Sequence, residues 1–101
     1  MIDYGRRLSR ESVVRLAAGP GSLPVRLDAA FGALHPLLPR RWDEPIRSAS
    51  IAVIEGYRVA MELGGDQGSI VKGCQRMHHT KRRALAEAVL DLYAAFVLGS
   101  Q

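Results

Sequence analysis

The chain has 101 residues, a single cysteine and a formal net charge of +4, and 48% of its residues are hydrophobic but only 6% aromatic. This length predicts one domain, residues 1–101, with a modest aliphatic core that needs neither disulfides nor a metal. Cys74 alone excludes an internal disulfide framework. The charge allows an anionic partner without requiring one, because ten acidic residues accompany the fourteen basic ones. We expect a cytoplasmic protein, since the basic start is not followed by the apolar segment of a secretory signal.

The first third of the chain predicts an arm followed by two helices. Residues 1–8 are predicted to form a loosely tied, flexible arm, and Ser9 can cap a first helix that ends at a Gly-Pro-Gly turn. Ser22 can cap a second helix in which Pro24 falls in the first turn, where a missing amide is tolerated. Pro36 should end this second helix near Ala33 or Leu34.

The middle of the chain predicts a longer amphipathic helix. Asp43-Glu44-Pro45 combines a cap, an acid and an early proline, which is typical of a helix start. Apolar residues then recur at helical spacing as far as Leu63, and Gly64-Gly65 ends the run. Gly56 inside this helix indicates that a neighbouring helix approaches closely.

The last third, Thr80–Leu98, dominates the predicted architecture. From Ala84 onward only Glu87 and Asp91 are charged, and alanine is frequent, which favours a helix over a buried strand. This apolar run would span about 22 Å, short of the roughly 30 Å hydrocarbon core of a bilayer. We therefore expect a helix that is covered by protein, and no membrane association.

Residues 69–79 leave two arrangements open. They can continue the last helix, which would then run from Ser69 to Leu98 over about 45 Å, or a break at His79-Thr80 can give a compact five-helix domain. No alternating run between hairpin turns indicates a strand. The sequence therefore predicts an all-α fold, a small bundle of four or five helices with a very apolar C-terminal helix.

The twelve-residue window from Lys72 to Arg83 contains no acidic residue. On a continuous helix several of its basic side chains would share one face and form a ridge that could follow a phosphate backbone. The alternative is a solvated face that keeps an apolar protein soluble. The absence of aromatic residues from the window argues against recognition of single strands by base stacking. The candidate nucleic-acid or anion-binding residues are Lys72, Arg76, His79, Lys81, Arg82 and Arg83.

Cys74 and His78 are weak candidates for a metal or catalytic site. They lie four residues apart, on one face of a predicted helix. A zinc or copper site needs three or four such ligands, and His35 lies far away in sequence. A thiol nucleophile would need a third residue to orient its histidine base, and none can be assigned. We therefore expect no metal or other cofactor, and binding in preference to catalysis.

The apolar sector of the last helix is wider than a monomer of this size easily covers, which predicts a homo-oligomer. The leading hypothesis is a non-catalytic, self-associating binding protein whose residues 72–83 hold nucleic acid non-specifically. The alternative is an adaptor or regulatory subunit that docks a partner protein through its apolar helices, with the cations on the rim. An acidic protein is one such partner. A small enzyme or metal-binding protein is the third hypothesis. The candidate interface residues are Trp42, Leu85, Val89, Leu92, Tyr93 and Phe96.

Overall fold

Residues 2–99, which the computed structural model describes, fold into five α-helices without a strand. The all-α prediction is confirmed. Of the two arrangements that the sequence left open, the five-helix domain is the correct one, with a radius of gyration of 12.7 Å. The helices are α1 (Ile2–Ala18), α2 (Leu23–Leu34), α3 (Ile46–Leu63), α4 (Ile70–Arg76) and α5 (His79–Gly99).

The arm predicted for residues 1–8 is corrected by the structure, because α1 begins at Ile2; the first residue of the arm lies outside the described range. Gly5 is buried against α5, where an added Cβ would lie 2.2 Å from the Phe96 ring. Ser9, predicted to cap the helix, lies inside it, and its hydroxyl donates to a backbone oxygen one turn earlier. The start of the chain is helical because it packs against the core.

Two arginines tie α1 to α2 across their connecting turn. Arg15 of α1 donates from Nη1 to the backbone oxygen of Ala29 at 3.0 Å. Arg26 of α2 donates from Nη1 to the backbone oxygen of Leu16 at 2.8 Å. Each helix therefore satisfies a carbonyl group of the other, and the α1–α2 pair is closed by its own basic side chains.

Tyr57 joins α3 to α2 in the core. Its hydroxyl donates to the backbone oxygen of Leu27 at 2.7 Å, and its ring stacks on Phe31 with centroids 4.8 Å apart. Burial raises the pKa of the Tyr57 phenol above its usual value, because the charged form would lose its hydration. This bond links α2 to α3, which forms one wall of the site described below.

The apolar side of α5 is the centre of the monomer and not an exposed interface. Its side chains are covered by α1 and α3 of the same chain. Tyr93 is only partly buried, and Trp42 packs edge-on against Phe96, with its Nε1 donating to the backbone oxygen of Leu37. The predicted interface is therefore corrected at the four positions that are 2% exposed or less, namely Leu85, Val89, Leu92 and Phe96.

Candidate functional site

The cationic window of residues 72–83 is divided between two helices. α4 ends at Arg76, Met77 has an extended backbone with φ −71° and ψ 142°, and α5 begins at His79. The break thus comes just before the predicted position, and it turns the Met77 side chain into the core, where it is 5% exposed. Because the window is not one helix, helical spacing does not align its two halves. The single cationic ridge expected on a continuous helix is wrong.

His78 caps α5. The backbone oxygen of His78 accepts from the amides of Lys81 and Arg82, both at 3.0 Å. Its Nδ1 lies 2.8 Å from Thr80 Oγ1 and accepts from the Thr80 amide at 3.3 Å. The imidazole therefore satisfies a free amide of the first turn of α5.

The basic side chains of the window have different hydrogen-bond and ion-pair partners. Arg76 donates from Nη1 to the backbone oxygen of Leu63 at 2.7 Å and so caps the end of α3. Arg83 pairs with Glu87 at 3.0 Å, and the His79 ring lies against that of His78. Within residues 2–99, no carboxylate lies at ion-pair distance from the other four cations of the window, Lys72, Arg76, Lys81 and Arg82.

Cys74 is a core residue of α4, fully shielded from solvent. Burial raises the pKa of its thiol to about 11, although the positive charge of Arg82 acts in the opposite direction. The thiol is therefore protonated at neutral pH and is a poor nucleophile. His78, by contrast, is exposed and lies beyond the helix break. Among the described residues, no group of three or more His, Cys, Asp or Glu side chains could hold a metal ion.

An apolar cleft of about 460 Å³ opens between α3 and the first half of α5. We refer to it as the α3–α5 cleft. Its volume is in the range of pockets that bind ligands. The buried Met77 lies at the end where α4 meets α5. The other apolar residues that line the cleft are Ala52, Gly56, Val59 and Leu63 of α3 and Ala84, Leu85 and Ala88 of α5.

Small residues set the shape of the cleft. A Cβ on Gly56 would lie 2.6 Å from Leu85 Cδ1, so this glycine lets the leucine lie across the floor. The predicted close approach at Gly56 is therefore confirmed. Ala52 and Ala84 are exposed on the two walls, where longer side chains would fill the opening.

The rim of the cleft is cationic near the helix break, where Arg76 and Lys81 lie beside the His78 ring. Glu55 of α3 is the acid of the lining, but Arg58 Nη2 lies 2.9 Å from its Oε2. This hydrogen bond holds the pKa of Glu55 below its usual value. The charge of Glu55 is thus compensated, whereas that of Lys81 is not compensated by any acid in the described part of the chain. Uncompensated positive charge borders an apolar floor.

The sequence predicted two basic residues at one end of the α3–α5 cleft but not the residues of its α3 wall. It identified Arg76 and Lys81 as anion-binding candidates, and the structure brings both to the rim. It did not identify Val59 or Leu63 of α3. The close-approach signal of Gly56 was the available clue, because a helix that packs closely at one glycine can leave a cleft beside it.

Comparisons of the chain with protein-family models, with curated proteins and with solved structures give no significant match. Of the helices within residues 2–99, none combines the length and the apolar character needed to cross a bilayer.

Proposed function

We propose that the protein is a non-catalytic helical binding protein whose α3–α5 cleft takes an amphipathic helix from an acidic partner protein. The observation that carries this proposal is the apolar floor bordered at one end by an uncompensated cation, Lys81. Amphipathic helices bind apolar grooves through side chains on one face. An acidic residue at the edge of that face would meet Lys81, which favours acidic partners over basic ones.

Non-specific nucleic-acid binding is the competing function, and the site supports it less well. The helix break interrupts the row of cations, Arg76 is bonded to the end of α3, and Arg83 is paired with Glu87. An apolar floor adds nothing to contact with phosphates. Lys72, Lys81 and Arg82 would still attract a duplex at low salt, and steep salt dependence would identify such binding.

Binding is also favoured over catalysis by the state of the candidate groups. The Cys74 thiol is buried and protonated. His78 Nδ1 is engaged by Thr80, and the cleft acid, Glu55, is paired with Arg58. A nucleophile, a base and an orienting acid are not assembled among the described cleft residues.

Self-association and a cytoplasmic location remain parts of the proposal, and the second rests on the sequence alone. Because the apolar side of α5 is buried, self-association requires another surface. Large hydrophobic side chains that are more than one third exposed are Val14, Val25, Ile51, Ile54, Leu63, Leu90 and Leu98.

The cleft proposal is tested by fluorescence anisotropy with three labelled probes. These are an amphipathic helical peptide of leucine, alanine and glutamate, the same peptide with lysine for glutamate, and a short DNA duplex. We expect the acidic peptide to bind and the basic peptide to fail. Ala84→Trp should weaken binding at least about tenfold by filling the cleft, whereas Ala17→Trp on the exposed face of α1 should not.

Two results would overturn the proposal. Equal affinity for the two peptides would show that the cationic rim does not select the partner. Binding of the duplex that falls steeply with salt and is unaffected by Ala84→Trp would assign the cations to nucleic acid instead.

A further inference from the structure

A second exposed stripe runs along α3, on a different side of the helix from the α3–α5 cleft. Its members are spaced by four, three, four and four residues, so they share one face. Ile51 and Ile54 in its middle are 53% and 37% exposed. The charged side chains are an arginine at the start of the stripe and an arginine and a glutamate toward its end. The stripe consists of Arg47, Ile51, Ile54, Arg58 and Glu62.

From this pattern we infer that a second copy of the chain docks on the stripe, with the two α3 helices antiparallel. In that arrangement a twofold axis passes beside Ile54, and Arg47 of each copy faces Glu62 of the other. An isologous contact of this kind forms both ion pairs from one patch. The aliphatic part of Arg58 would cover Ile51 of the other copy.

The charged ends of the stripe can make these contacts without losing strong bonds in the monomer. Arg47 approaches Glu44 only to 3.8 Å, and its side chain is 68% exposed. Arg58 binds Glu62 through Oε1, which leaves Oε2 to accept from a guanidinium of the second copy. Arg47 and Glu62 can therefore each pair with the second copy.

The apolar surface also extends beyond α3. Ile51 and Ile54 border a hollow of about 440 Å³ whose other apolar walls are Leu38 and Trp42. Arg40 and Arg41 edge the same hollow, and tryptophan and arginine are enriched where protein interfaces are strongest. Trp42, a predicted interface residue, thus lies beside the proposed contact, and the contact leaves both α3–α5 clefts open.

This inference rests on the proposed self-association and not on the proposed ligand of the cleft. One helix pair and a shallow hollow make a small interface, so we expect dissociation constants of micromolar order. Sedimentation equilibrium over a concentration series in that range measures the dimer. Arg47→Glu alone and Glu62→Arg alone should each weaken it about tenfold, because both ion pairs become repulsive.

Mixing the two single variants supplies the decisive measurement. In the mixed dimer, the introduced glutamate of one copy faces the introduced arginine of the other, and across the axis the natural Arg47 faces the natural Glu62. Both contacts are attractive again, so dimerisation should return to the original strength. Arg83→Glu is the matched control, because Arg83 is likewise an exposed arginine with a glutamate nearby in sequence, Glu87, but lies on α5, away from the stripe. It should leave the dimer unchanged.

The outcomes separate the claims. Single variants that weaken the dimer without rescue on mixing would overturn the antiparallel pairing. Single variants that dimerise like the original chain would move self-association to another surface. An original chain that stays monomeric throughout would refute self-association itself, while leaving the cleft proposal to its own peptide test.

Discussion

The α1–α2 pair and the α3–α5 cleft use basic side chains in opposite ways. In the α1–α2 pair, Arg15 and Arg26 donate to backbone oxygens of the facing helix. At the cleft, Lys81 borders an apolar floor and has no carboxylate at ion-pair distance within residues 2–99. The difference teaches that a basic residue adds to a binding surface only where the fold does not already use it, so a count of cations cannot locate such a surface.

The largest expected loss of stability tests how closely α4 packs against α3 beside the cleft, compared with the packing of the α1–α2 pair. A Cβ on Gly73 of α4 would lie 1.6 Å from the backbone oxygen of Ala60 in α3. Because a backbone atom cannot rotate away, Gly73→Ala should lower the free energy of unfolding by about 3 kcal/mol. Urea denaturation followed by circular dichroism measures this loss.

Gly32→Ala in α2 is the matched control for that substitution. Its Cβ would meet a side-chain atom, Nη1 of Arg15, at 3.2 Å, and a long side chain can shift by a few tenths of an ångström. The free energy of unfolding should therefore change by less than about 1 kcal/mol, since the helical preference of alanine offsets a small shift of the guanidinium. Equal losses for the two variants would show that close packing does not distinguish the two regions.

A somewhat smaller effect should appear at alkaline pH, where the burial of Cys74 in α4 is tested. The pKa of Cys74 is raised from 9.0 to about 11 in the folded chain. Below pH 9 the thiol is protonated in both states, and between pH 9 and 11 the unfolded chain alone loses the proton. The free energy of unfolding should thus fall by about 2 to 3 kcal/mol over this window.

Cys74→Ala identifies the source of that fall. The variant should be less stable at neutral pH because it leaves a cavity, but its stability should decline less between pH 9 and 11. The buried Tyr57 phenol, whose pKa is also raised, contributes in both proteins above its ordinary pKa of about 10. Identical slopes for the original chain and the variant would contradict the buried thiol as the cause.

The third prediction concerns the structural use of arginine in the α1–α2 pair. Arg26→Met removes the bond to the Leu16 carbonyl and should cost about 1 kcal/mol of stability. The loss is moderated because Arg26 Nε is buried without a partner within the described chain, and methionine removes that unsatisfied group. Urea denaturation measures it, and an unchanged free energy of unfolding would mean that this bond does not close the pair.

Local sequence signals predicted most helices of this fold but not the start of the N-terminal one. The start near Pro45 and the glycines after Leu63 act within a few residues, so pattern alone locates α3. The helical start of α1 depends on Gly5 packing against Phe96, a contact between opposite ends of the chain. Local periodicity cannot report such a contact, and residues 1–8 were therefore predicted as an arm.

The candidate site was predicted in part for a similar reason. The apolar width of α5 correctly indicated burial around Leu85, but it could not indicate whether α1 and α3 or a second copy would cover it. The break at Met77 depends on the burial of that side chain and on capping by His78, an uncommon capping residue. Residue spacing therefore identified the basic residues at the cleft but not their positions relative to one another.

The smallest change in stability is expected for Lys81→Met, the counterpart of Arg26→Met on the cleft side. Methionine keeps most of the aliphatic length and removes only the ammonium group, which no described carboxylate pairs with. The free energy of unfolding should therefore stay within about 0.5 kcal/mol of the original value, while affinity for the acidic helical peptide falls about fivefold. Urea denaturation and peptide anisotropy on the same preparation measure both quantities. If Lys81→Met lost as much stability as Arg26→Met and kept its peptide affinity, Lys81 would be a structural residue, and the contrast between the two regions would not hold.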